Sequence, residues 1–157
     1  MSAKRILTVS CVLLAIVCDR LLKWLSFAAL PREGAVLVYG ARYELFLNTG
    51  LVFSLFNNLA AIIATLVAVI FLALWLFWKL RRDPLWLSSP TNFLGVALIA
   101  AGGVSNLFDR IYYGGVVDYL ILFSRSAINL ADIMILAGVL LLVLKPGSKG
   151  GHPASAE

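Results

Sequence analysis

The stretch LAAIIATLVAVIFLALWLFW, residues 59–78, runs for twenty residues without a charge. At about 1.5 Å of rise per residue, a helix of that length covers about 30 Å, the thickness of a bilayer's hydrocarbon core. Lys79, Arg81 and Arg82 follow directly, as expected where such a helix leaves the lipid on the positively flanked side. The whole chain has the same character. Of its 157 residues 62% are hydrophobic and only 13% charged, with a mean hydropathy of +0.97. Soluble domains lie near 45–50% apolar and about 25% charged, so the composition is that of an integral membrane protein.

Working outward, three more apolar segments appear, at about 6–30, 92–112 and 127–144. The first begins Lys4-Arg5-ILTVSCVLLAIVC, which looks like the start of a signal peptide. No small-x-small cleavage site follows, only Asp19-Arg20, so it reads as a retained helix. Between the first two segments lies AVLVYGARYELFLN, residues 35–48, rich in β-formers and broken at Gly40-Ala41; it predicts a small hairpin or sheet outside the membrane. The fold class is therefore an all-α membrane protein of four transmembrane helices, with a small extracytoplasmic sheet between helices one and two. Residues 1–145 form one domain. The tail 146–157, dominated by Gly, Ser, Pro and Ala, is expected to be disordered and cytoplasmic.

Lysine and arginine set the orientation. With both termini in the cytoplasm, seven of the thirteen (Lys4, Arg5, Lys79, Arg81, Arg82, Lys145, Lys149) lie inside and four (Arg32, Arg42, Arg110, Arg125) outside. The net charge of +5 forms no basic face and no nucleic-acid motif, so DNA and RNA are excluded as partners. Cys11 and Cys18, seven apart in one apolar segment, read as helix-packing residues, and the lone His152 lies in the tail. There is no Ser–His or Cys–His arrangement, no metal-ligand cluster and no cofactor motif.

In this topology the polar residues gather at one depth. Asp19 and Lys23 lie in the outer half of helix one; Asn106, Asp109 and Arg110 lie at the outer end of helix three. Asn129 and Asp132 fall at i and i+3 in the first turns of helix four, and Asp118 lies in the connection before it. Ionisable groups within a membrane are candidates for function. Asp19 with Lys23, and Asp109 with Arg110, are equally readable as structural ion pairs. That pairing leaves only the exposed Arg125 for Asp118 and Asp132. Two such carboxylates in a low dielectric share one proton, giving a base and an acid around one water. The residues alone admit an acid peptidase, a proton relay in a transporter and a non-enzymatic assembly subunit. Against the transporter stand the wholly apolar inner halves, such as LAGVLLLVL and FLALWLF.

Five ordered segments narrow the choice: DRLLK (19–23), NTGLVFS (48–54), GGVSNLFDR (102–110), VVDYL (116–120) and INLADIMI (128–135). Together they closely resemble the lipoprotein signal peptidase (signal peptidase II) family, over nearly the whole chain. The resemblance implies a membrane aspartic endopeptidase of bacterial inner membranes. It would cut prolipoproteins just before a cysteine bearing a diacylglyceryl group, with membrane lipids around it, no cofactor or metal, and a monomeric state. The family's catalytic aspartates fall on Asp118 and Asp132. Asp19 and Lys23 would brace the bundle, and Asn48 and Gly50 would form the lip by the outer sheet. Asn106 and Arg110 would meet the substrate's carbonyls, Asp109 would hold Arg110 or Lys23, and Asn129 would orient a dyad carboxylate. Gly102 and Gly103 would let a substrate helix pack closely. The chain departs from the family pattern at Ser105, where glycine is usual, at Ile128, where phenylalanine is common, and in the short segment 119–131, which lacks an aromatic-proline stretch. These departures bear on the outer lid and on peptide preference.

Overall fold

A computed structural model describes residues 3–29, 35–38, 41–49, 58–122 and 126–144. Gly50, Arg125 and the tail 146–157, all named above, lie outside the described residues. Among the described residues there are four α-helices: α1 (Ala3–Ala29), α2 (Asn58–Arg82), α3 (Pro90–Tyr113) and α4 (Leu130–Val143). Strands β1 (Ala35–Val38) and β2 (Ala41–Asn48) follow α1, while β3 (Val116–Leu122) and β4 (Ser126–Ile128) lie between α3 and α4. The strands form one antiparallel sheet in the order β1-β2-β3-β4.

Two of these elements correct the sequence reading. The expected sheet between the first two helices is only half of the sheet; its other half comes from residues 116–128. Apart from Asp118, VVDYLIL is apolar at every position without alternation and adjoins a helix, so periodicity does not mark it as a strand. Its pairing with β2, Leu47 opposite Val117 and Phe46 opposite Asp118, decides its state. The last helix also starts later than expected. Asn129 is its N-cap, not part of its first turn, and residues 126–128 are strand.

Burial runs opposite to that of a water-soluble protein. The exposed side chains include Leu14, Trp24, Phe71, Leu74, Phe77 and Leu136, whereas Asp19, Lys23, Asn106, Asp109, Asp118 and Asn129 are buried. Apolar surface on this scale is ruinous in water and matched to hydrocarbon, where buried polar groups must satisfy one another. Among the described residues two helices, α2 and α3, are long and apolar enough to cross a membrane by length and composition; α4 is apolar but shorter. The buried apolar cluster is small, built on Val12, Ala101 and Met134. Cys11 and Cys18 are free; Cys11 lies exposed on the outer face of α1 and not at a helix contact.

Helices α3 and α4 pack closest, and small residues make that approach possible. A Cβ at Gly138 would lie 2.6 Å from the Gly95 carbonyl oxygen, and one at Gly102 would lie 2.4 Å from that of Ala131. Gly102 is thus committed to α4 of the same chain and is closed to a substrate helix; at Gly103 an added Cβ meets nothing within 4 Å. Gly114, with φ of 76°, ends α3 in the left-handed conformation and turns the chain into β3.

Candidate functional site

The start of α4 is the structural centre of the site. A helix leaves its first N–H groups without intrahelical partners, and here each finds an acceptor. The amide of Asn129 donates to Asp132 Oδ2 (3.2 Å), and that of Asp132 donates to Asn129 Oδ1 (3.0 Å), a reciprocal capping box. Leu130 N donates to the Tyr119 hydroxyl (2.9 Å), reaching from β3, and Ala131 N donates to Asp19 Oδ1 (3.2 Å), reaching from α1. Burial pushes the Tyr119 phenol above its ordinary pKa, which keeps it neutral. Three elements, α4, β3 and α1, therefore converge on one helix terminus. No amide is left over there to bind a developing oxyanion.

Asp118 approaches from the sheet. It is 1% exposed. Asn129 Nδ2 donates to its Oδ1 at 2.6 Å, and Asn48 Nδ2, at the end of β2, donates to its Oδ2 at 3.3 Å. Asp132 accepts a further bond from Asn106 Nδ2 at 2.7 Å. Asn106 Oδ1 in turn accepts from Asn129 Nδ2 (3.2 Å) and Lys23 Nζ (3.3 Å). The two carboxylates are thus linked through Asn129, whose side chain holds one while its backbone holds the other. Burial, and next the charge of Asp132, push the Asp118 carboxyl up to about 7; the Asn48 and Asn129 amides partly offset this.

The structure brings Asp118, Asp132, Asn48, Asn106 and Asn129 into this one network. Asn106, expected to meet substrate carbonyls, directs its amide to Asp132. Arg110 is buried on the same end of α3, within electrostatic reach of Asp132 and Asp118.

Behind the network lies a second, fully charged one. Lys23 Nζ is 3.0 Å from Asp19 Oδ2 and 2.7 Å from Asp109 Oδ2; Arg20 reaches Asp109 Oδ1 at 2.7 Å and Asp19 Oδ2 at 3.1 Å. Of the two partners expected for Asp109, Lys23 holds it, and Arg20 stands where Arg110 was the alternative. Arg20 is the residue the sequence reading left without a role. Its place three residues before Lys23, on the same side of α1, was the available signal. Ser105 Oγ accepts from Arg20 Nη2 (2.6 Å) and donates to Asp19 in a short hydrogen bond. Asp109 Oδ2 accepts the amide of Val117 at 3.2 Å. Among the described residues no three His, Cys, Asp or Glu side chains gather as a ligand set for a metal.

Fold and site together define a helical membrane protein with an acid pair, Asp118 buried and Asp132 half-buried, at one end of its bundle, where α1, α3, α4 and the sheet meet. Residues 11–146 match the family model described as Signal peptidase (SPase) II, and the chain belongs to that family. Curated relatives agree. The lipoprotein signal peptidase of Syntrophomonas wolfei is 33% identical over 135 residues, covering 84% of this chain and 87% of its own. That of Moorella thermoacetica is 32% identical over 150 residues, covering 90% and 95%. Two solved structures titled as a bacterial membrane enzyme share the fold, with TM-scores of 0.72 and 0.70 over 87% of this chain at 16% identity.

Proposed function

We infer that this chain is an aspartic endopeptidase that removes signal peptides from bacterial prolipoproteins, with Asp118 and Asp132 as the catalytic pair. The observation that carries the reading is Asn129 binding both carboxylates at once, by its side chain and by its amide. Asp118, with its pKa near 7, keeps the shared proton and donates it to the scissile carbonyl oxygen as charge develops there. Asp132, at the positive end of the α4 dipole and fed by Asn106, is the carboxylate that takes a proton from the attacking water. With the α4 amides all occupied, the oxyanion depends on Asp118 and the nearby Arg110 guanidinium.

The same reading places four helices across the inner membrane, both termini in the cytoplasm, and the site at the outer boundary. Residues 1–145 act as one peptidase domain and as a monomer. A cut at that boundary suits a cysteine held there by acyl chains. Purified protein should cleave a diacylglyceryl-modified prolipoprotein and fail on the same peptide with an unmodified cysteine; equal cleavage of both would end the substrate assignment. Reporter fusions after Arg82 and at the C-terminus should report cytoplasm, and one near Ala41 the outside. An outside signal after Arg82 would place the site on the wrong face.

The acid role of Asp118 has a pH signature. Activity should fall as pH rises through about 7, when its proton is lost. Because the folded pKa lies above the ordinary 3.8, the group's contribution to stability is complete below that value and is lost as pH rises to 7. Asn48 favours the charged form, so Asn48→Ala should move the alkaline limb of the rate profile upward by about half a unit to one unit. A limb that stays in place, or moves down, would remove Asp118 from the acid role.

A further inference from the structure

Each dyad residue is preceded in the chain by a residue whose amide is bound by a carboxylate of the charged network. Val117 N, just before Asp118, donates to Asp109; Ala131 N, just before Asp132, donates to Asp19. The distance between the two catalytic backbones is therefore set by how Asp19 and Asp109 are held relative to each other. Two cations span them, and they differ. Lys23 is 2% exposed and binds one oxygen of each carboxylate. Arg20 is 29% exposed and is a rigid fork, with one nitrogen on Asp109 Oδ1 and the other on Asp19 Oδ2.

We propose that Arg20, with Ser105, is a positioning device for catalysis: the guanidinium bridges Asp19 and Asp109 and so fixes the separation of Asp118 and Asp132. Arg20 touches neither dyad carboxylate and acts through the two backbone anchors. Without it Asp109 keeps only the contacts of its Oδ2, to Lys23 and the Val117 amide, and the carboxylate is free to rotate about that oxygen, which changes the direction from which Val117 is held. Ser105 adds a neutral link, joining the Arg20 fork to Asp19. The Arg20 guanidinium also lies over the Phe108 ring, 5.3 Å from its centroid, which limits its rotamers. The charges of the network balance, two cations for two carboxylates, and the partial exposure of Arg20 lets water hydrogen-bond the oxygens it leaves without restoring its geometry. Catalysis falls steeply with displacements of about 1 Å, by as much as about 100-fold.

The inference rests on the dyad reading, so Asp118→Asn is run beside it in the same lipopeptide cleavage assay; its inactivity shows that reading standing on its own. Arg20→Gln should then lower kcat per folded molecule at least tenfold with KM within twofold of the parent, and lower the thermal midpoint by less than Lys23→Met does. Arg20→Lys, which restores the charge but not the fork, should recover only part of kcat. A kcat within twofold of the parent in Arg20→Gln, or full recovery in Arg20→Lys, would overturn the proposal. If Arg20→Gln does not fold, Arg20→Lys decides by the same criterion. If neither folds, Ser105→Ala, which leaves every charge in place, decides: a kcat reduced severalfold at unchanged KM supports the device, and an unchanged kcat overturns it.

Discussion

Asp118→Asn and Asp132→Asn should each give a folded protein that processes prolipoprotein about 10⁴- to 10⁶-fold more slowly, the scale seen when one member of a catalytic unit is removed. The fold should tolerate both changes. At 118 the retained oxygen still accepts the Asn129 amide, and Asn48 has only to turn its own amide over to meet the new one. At 132 one oxygen remains for two donors, Asn106 Nδ2 and Asn129 N, so the capping box weakens by about 1 kcal/mol. Neither amide can take a proton from water or share one with its neighbour. The double variant should be little worse than either single, because the pair acts as a unit. Measured by cleavage of a diacylglyceryl-modified substrate, full processing by either variant would end the dyad mechanism. Loss in only one of them would leave a single acid or base and reopen the relay and scaffold readings.

How much of this was legible beforehand depends on whether a residue's partner is local. The charge-free run 59–78 announces α2 without any help from its neighbours, and α2 indeed presents apolar residues almost all around. Asn129 and Asp132 stand three apart ahead of an apolar run, the spacing of a capping box. The box was readable there, but the apolar residues before Asn129 resemble a helix continued backward, so residues 127–129 were absorbed into it. The strand state of VVDYLIL is not local at all. It comes from hydrogen bonds to β2, some seventy positions earlier, and those pull Asn48 to within reach of Asp118. That Asp109 takes Lys23 and not Arg110, and Arg20 beside it, is hidden for the same reason. Its neighbour Arg110 is the obvious cation in sequence, yet successive helical residues point about 100° apart. The crossing of α1 and α3 instead offers Arg20 and Lys23. Sequence shows which polar residues share a depth in the membrane; only the crossing of helices shows which of them touch.

Lys23→Met should damage folding more than chemistry. The Lys23 ammonium is buried against two carboxylates, Asp19 and Asp109, and donates to Asn106 as well. A methionine fills the volume and removes the charge, leaving Arg20 alone to face both anions. Breaking a buried ion pair by deleting one partner costs about 3–5 kcal/mol, mainly because the other charge stays desolvated. For a chain of this size that is roughly 10 °C in thermal midpoint. Protein level and thermal stability in detergent should therefore fall together, with activity following the amount of folded protein. The charge argument makes a sharper demand on a second variant. Lys23→Met with Asp19→Asn restores neutrality, one cation for one carboxylate, while the new amide oxygen still accepts from Ala131. The double variant should be more stable than Lys23→Met alone, although Asp19→Asn by itself removes a buried partner too. If the double variant were the less stable of the two, the cost would lie in lost packing and not in an uncompensated charge. If Lys23→Met were instead stable, well expressed and inactive, Lys23 would act on the dyad itself, through Asn106.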